Sequence, residues 1–121
     1  MSANPPRMIR RATEEDVARI AAIARAAYVK YVSRIGREPP PMIADFAAEI
    51  AAGHVVVIEI ARAVEGYLIS WPKMEAYFID NIAVDPARRA FEKRVIVRLF
   101  RGSTSFGFPP VDAHSVVYRV S

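Results

Sequence analysis

Cysteine is absent from these 121 residues, which excludes disulfides, thiolate metal sites and cysteine nucleophiles. Long apolar runs are missing as well. Glu59, Arg62 and Glu65 interrupt the most hydrophobic stretch long before it reaches the length of a membrane span, so no membrane segment is expected. The opening MSANPPRMIRR lacks the apolar core of a secretory signal, which makes the cytoplasm the expected location. Histidine is limited to His54 and His114, with no acidic cluster at ligand spacing, so no metal is expected. Ser103, Thr104 and Ser105 stand outside any nucleophile-elbow pattern, which speaks against covalent serine chemistry.

The residues that are present describe a globular chain. A hydrophobic share of 53% and a charged share of 25% suit one compact domain over residues 1–121. The net charge of +4 is unevenly placed. Residues 1–86 hold ten Lys/Arg against eleven Asp/Glu, whereas residues 87–121 hold seven against two. The excess of positive charge therefore follows Pro86. Such asymmetry fits phosphates of a cofactor or of nucleic acid, and it equally fits a solvated basic surface. No aromatic-basic interleaving or known reader motif supports the nucleic acid.

Read along the chain, Met8 to Arg11 suits a short first strand. Thr13 is a helix N-cap followed by Glu14, Glu15 and Asp16, acids that favour the helix dipole. Val17, Ile20, Ala24, Ala27, Tyr28 and Tyr31 then recur at helical spacing, and the helix is expected to end near Gly36. Three prolines stiffen the connector 36–41. A second helix fits Ile43 to Ala52, with Gly53 after it. The period then changes. His54 to Ala61 is β-branched and nearly continuous, as in a strand buried on both faces. Residues 62–66 are expected to turn at Gly66, Tyr67 to Trp71 to form the next strand with Pro72 at its exit or at an edge, and Ala76 to Val84 the third. After Pro86, Ala87 to Phe100 suits a helix, although Val95-Ile96-Val97 suits a strand equally well. GSTSFGFPP is loop by composition, and Ser115 to Val120 suits a last strand. The order of elements indicates an α+β fold.

Three strings carry more than composition: IRRATEEDVARIAAIARAAY, IGREPPPMIADFAAEIAAGHVVV and YFIDNIAVDPARR. In that order they resemble the GNAT superfamily of acetyl-CoA-dependent N-acetyltransferases, over about residues 8–89. The resemblance implies a mixed, largely antiparallel sheet flanked by helices, here C-terminally truncated or altered. It implies acetyl-CoA as acyl donor and direct transfer to a primary amine of a small molecule or protein. The fourth strand of such proteins offers backbone to the pantetheine arm, which maps to Ile82, Ala83 and Val84. The loop that follows has the pattern Gln/Arg-x-x-Gly-x-Gly/Ala. Arg89 matches its first position, but Glu92 and Arg94 stand where the glycines belong. Arg88, Arg89, Lys93 and Arg94 would then have to hold the pyrophosphate with side chains instead of a bare backbone. A shifted reading frame or degeneration after Arg89 would leave such a pattern.

The resemblance also places Tyr28, Tyr31 and the proline connector at the acceptor pocket, although both tyrosines equally suit simple packing. Asp80, an acid amid Phe78, Ile79 and Ile82, is the candidate general base for the acceptor ammonium, directly or through water; burial would raise its pKa. Its alternative is a carboxylate held by backbone or an arginine. Glu59 and Glu75 are weaker candidates for the same work. Tyr118 matches the thiolate-protonating acid only loosely, and Trp71 suits packing. The rival to an enzyme is a catalytically inactive, truncated GNAT-like interaction or subunit module. A sheet edge left open in it would favour a homodimer.

Overall fold

The computed structural model describes residues 7–73, 76–87 and 116–118. Five strands lie in sequence order in one sheet: β1 (Arg7–Arg11), β2 (Val55–Ile60), β3 (Ala63–Lys73), β4 (Ala76–Val84) and β5 (Val116–Tyr118). The first four pair antiparallel, and β5 pairs parallel to β4, so the sheet is mixed and largely antiparallel as expected. Between β1 and β2 the chain forms α1 (Val17–Tyr28), α2 (Val32–Ile35) and α3 (Phe46–Ala51). No helix among the described residues is long and apolar enough to cross a membrane.

The helical stretch after Thr13 is less regular than its apolar spacing predicts. It begins with a 3-10 turn at Glu14–Asp16, and a second 3-10 turn at Val29–Tyr31 separates α1 from α2. It ends where expected, because Gly36 adopts the left-handed conformation (φ 73°) that closes a helix. Asp16 secures the start. Its carboxylate accepts the Thr13 N–H at 2.7 Å and two hydrogen bonds from the Arg10 guanidinium at 2.8 and 2.9 Å. Arg10 also donates to Glu59 on β2 at 2.8 Å, tying the first strand, the helix start and the second strand together. Hydrogen bonding by Arg10 holds the Asp16 carboxyl below its ordinary range. The second helix starts later than Ile43 because Asp45 caps it, its carboxylate accepting the Ala48 N–H at 3.0 Å. The proline connector is not wholly irregular. Pro40–Met42 makes one 3-10 turn, and Pro39, Pro41 and Met42 are buried.

Two expectations about β3 are corrected. The turn is not at 62–66. It consists of Ala61 and Arg62, both at positive φ (53° and 70°), which is what a two-residue hairpin loop between right-twisted strands requires. Gly66 lies inside β3, opposite Ile58 on one side and Val84 on the other. The strand also runs through Pro72 to Lys73. Pro72 is tolerated because β2 accompanies β3 only as far as Ile69, so the position is locally an edge.

The core forms where α1 and α3 cover one face of the sheet: Ile20, Ile23 and Phe46 pack on Val55, Val57, Tyr67, Ile69 and Ala83. Val56, Ile58 and Leu68 alternate onto the opposite face and are also fully buried. Burial on both faces accounts for the unbroken β-branched run that the sequence shows there. Residues 88–100 of the expected helix and the loop at 102–110 lie outside the described residues.

Candidate active site

The centre of β4 is where the sheet departs from regularity. In the ladder with β3, Ile69 faces Asn81 and Ser70 faces Ile79, so Asp80 is an extra residue without an opposite number. Such a bulge bends a strand and re-aims its side chains. On its other side β4 pairs with β5 at Tyr77, Phe78 and Ile79. Among the described residues, the part of β4 after Asp80 pairs with β3 alone.

Asn81 occupies the buried side of this irregular point, at 2% exposure. Its side-chain oxygen accepts the Tyr67 hydroxyl at 2.8 Å and the Tyr28 hydroxyl at 3.3 Å. Its amide nitrogen donates to the Pro41 carbonyl at 2.9 Å. One side chain thus joins β4 to α1, to β3 and to the proline connector. Tyr28, the last residue of α1, also donates to the Ile82 carbonyl at 2.9 Å and so holds β4 just past the bulge. Tyr31 stands beside it, ring centroids 6.3 Å apart.

Burial pushes the Tyr28 phenol up to about 12; neighbouring Tyr31 adds to the shift, the bond to Ile82 opposes it, and the charge of Asp80 adds again. Burial raises Tyr67 further, with Tyr28 and Asp80 acting in the same direction against the bond to Asn81. Both phenols therefore remain protonated around neutrality and serve as hydrogen-bond donors. Asp80 itself is half-buried, close enough for its charge to act on both rings.

A second polar cluster holds the exit of β4. Arg19 on α1 donates to the Val64 carbonyl at 2.7 Å, to Glu65 at 3.2 Å and to Asp85 at 2.6 Å. Glu65 is the extra residue of another bulge, since Ile58 faces Gly66 and Glu59 faces Val64. The Asp85 N–H donates to the Glu65 carbonyl at 2.8 Å, and its carboxylate accepts the Ala87 N–H at 2.9 Å. The Asp85-Pro86 turn is thereby oriented by an arginine 66 positions earlier.

Of the residues singled out from sequence, Asp80, Tyr28, Tyr31 and Ile82 meet at this point of β4. Ala83 packs in the core beneath α1, and Val84 is buried on the strand's other face. Arg88, Arg89, Lys93 and Arg94 lie outside the described residues, as do Glu75 and the glycine-position residue Glu92. Glu59 is held by Arg10. Trp71 packs on His54, ring centroids 5.0 Å apart. Sequence reading passed over Asn81, Tyr67 and Arg19. An amide beside Asp80 in a mostly apolar strand is the available signal for Asn81; nothing local marks Tyr67 or Arg19, whose partners are distant in the chain.

No family model matches the chain, and neither does any of the curated proteins. Solved structures do. A GNAT-family acetyltransferase from Bacillus cereus superposes with a TM-score of 0.51 at 18% identity, over 67% of this chain and 51% of that one. This chain thus spans about half the length of that structure. A GNAT-family acetyltransferase from Listeria monocytogenes gives 0.60 at 17% identity, over 85% of this chain and 73% of that one. One from Brucella melitensis, in complex with acetyl-CoA, gives 0.55 at 20% identity, over 84% and 68%. The fold is GNAT-like, an antiparallel sheet flanked by helices.

Proposed function

We propose that the chain is an acetyl-CoA-dependent N-acetyltransferase acting on a primary amine. The observation that carries this reading is the coincidence of a bulge and a half-buried carboxylate at Asp80, in a sheet of GNAT-like fold. Backbone of Ile82, Ala83 and Val84, next to that irregularity, suits an extended thioester arm, with Arg88, Arg89, Lys93 and Arg94 assigned to its phosphates. The Brucella melitensis structure, of the same fold, is in complex with acetyl-CoA, which supports this choice of donor.

Acetyl-CoA supplies the activated acyl carbon that the acceptor amine attacks directly. The chain's own work is orientation and proton management. Asp80 takes the proton from the acceptor ammonium, directly or through one water. Tyr28 keeps β4 in place past the bulge by its bond to the Ile82 carbonyl. Asn81 holds the proline connector against the same strand, so the acceptor side and the donor side form one hydrogen-bonded unit.

Calorimetric titration with acetyl-CoA, using CoA as a control, tests the reading. Micromolar binding is expected, and Arg89→Ala should weaken it more than it weakens folding. Absence of heat from a folded sample rejects it. Glu92 and Arg94 at the glycine positions of the cofactor loop favour a second reading, a non-catalytic interaction module. A monodisperse monomer in light scattering counts against its self-associating form.

A further inference from the structure

We infer that the acceptor amine carries an anionic group, a carboxylate or a phosphate, that is received by Lys30 and Arg34 beside Tyr31, with Arg37 next to them in sequence. This inference rests on the acetyltransferase reading for the place of the amine and names the class of acceptor.

Three arginines on or beside α1 are matched by carboxylates, Arg10 by Asp16 and Glu59, Arg19 by Glu65 and Asp85, and Arg25 by Glu38, while Arg11 reaches the Gly53 carbonyl. Among the described residues, Lys30, Arg34 and Arg37 belong to no ion pair. The nearest acid in the sequence, Glu38, is taken by Arg25. Lys30 and Arg34 are four residues apart in a helical stretch, a spacing at which like charges repel. Both nevertheless lean on one ring. The Lys30 ammonium lies 5.2 Å and the Arg34 guanidinium 5.5 Å from the centroid of Tyr31. The ring quadrupole offsets part of the repulsion but neutralises no charge. A favourable helix dipole accounts for one cation at the end of α2, not for three within eight residues.

Position gives the cluster its meaning. Tyr31 adjoins Tyr28, whose hydroxyl sits on β4 just past Asp80. In this proposal the Asp80 carboxylate receives the ammonium end of the acceptor and the cations beside Tyr31 receive its anionic end. A neutral amine would leave the cations with water alone.

Binding is the test, read whether or not acetyl is transferred. The intact chain is titrated with two matched pairs: γ-aminobutyrate against butylamine, and O-phosphoethanolamine against ethanolamine. At least one anionic member should bind tenfold or more tightly than its neutral match, and which one does separates carboxylate from phosphate. The preference should shrink with added salt. It should disappear in the Lys30→Ala/Arg34→Ala variant and persist in Arg62→Ala, a control on the exposed β2–β3 turn. Where turnover is seen, the double variant should raise KM for the anionic acceptor about tenfold and leave kcat unchanged. Equal affinity within both pairs, no binding by any of the four, or a preference untouched by the double variant overturns the inference. Failure of the acetyltransferase reading would appear separately, as absence of acetyl-CoA binding.

Discussion

β3 is flanked by two irregular ladders, and each contains one extra residue that is an acid. Glu65, on β3 opposite β2, is met by the Arg19 guanidinium, and the same arginine reaches Asp85 at the exit of β4. Asp80, on β4 opposite β3, directly precedes the buried amide of Asn81, and its charge acts on the Tyr28 and Tyr67 phenols. A carboxylate placed against a guanidinium spends its hydrogen bonds on structure. In the proposed mechanism the Asp80 carboxylate, at the bulge of the β3–β4 ladder, exchanges a proton instead. The same backbone device is thus a fastener at Glu65 and, in the proposed function, a place for chemistry at Asp80.

The sharpest way to separate the two bulges is Asp80→Asn. It should lower kcat by about 10²- to 10⁴-fold, as loss of a general base does. The unfolding midpoint should move by less than about 0.5 kcal/mol. A loss of stability as large as the loss of rate would make Asp80 a fastener like Glu65. Asn81→Leu comes next. It strands the Tyr67 hydroxyl and the Pro41 carbonyl in the interior, and urea unfolding should show a loss of about 3 kcal/mol. Arg19→Met removes the cation shared by Glu65 and Asp85. Because Arg19 is partly exposed, the expected cost is smaller, about 1–2 kcal/mol. Its acetyl-CoA affinity should fall along with stability, since Asp85 orients the turn into the basic segment.

The smallest effect near neutrality belongs to Tyr28→Phe, about 1 kcal/mol for the lost bond to Ile82. Its signature is in alkali. The Tyr28 phenol is raised from 10.0 to about 12, so the folded state binds that proton more tightly than the unfolded state. The associated stability is complete below pH 10 and is lost as pH rises through about 12. The Phe variant should lack this part of the alkaline loss in pH-dependent unfolding, and an unchanged alkaline limb would place the hydroxyl in water.

Local chemistry made several elements readable. Val55 to Ile60 could be recognised because β-branched residues buried on both faces need no alternation, and Ala76 to Val84 because its period breaks at Asp85-Pro86. Thr13 and Gly36 marked the helical stretch because capping and left-handed closure are local preferences. The β2–β3 turn was misplaced for the converse reason. Ala61 and Arg62 take positive φ without glycine, under the demand of the strands that pair around them. Gly66, which looked like the turn, instead lies between two paired strands.

By itself the sequence determined the α+β order, the two-sided burial of β2, the acid in the middle of β4 and the concentration of positive charge after Pro86. These follow from side-chain period, proline and charge, all of which are local. Tertiary structure alone decided that Asp80 would be a bulge residue, that Asn81 would join Tyr28, Tyr67 and Pro41, and that Arg19 would orient Asp85. Each of these depends on pairing register or on contacts between residues as far as 66 positions apart, and such contacts are set by how helices and strands pack, not by the preferences of any one segment.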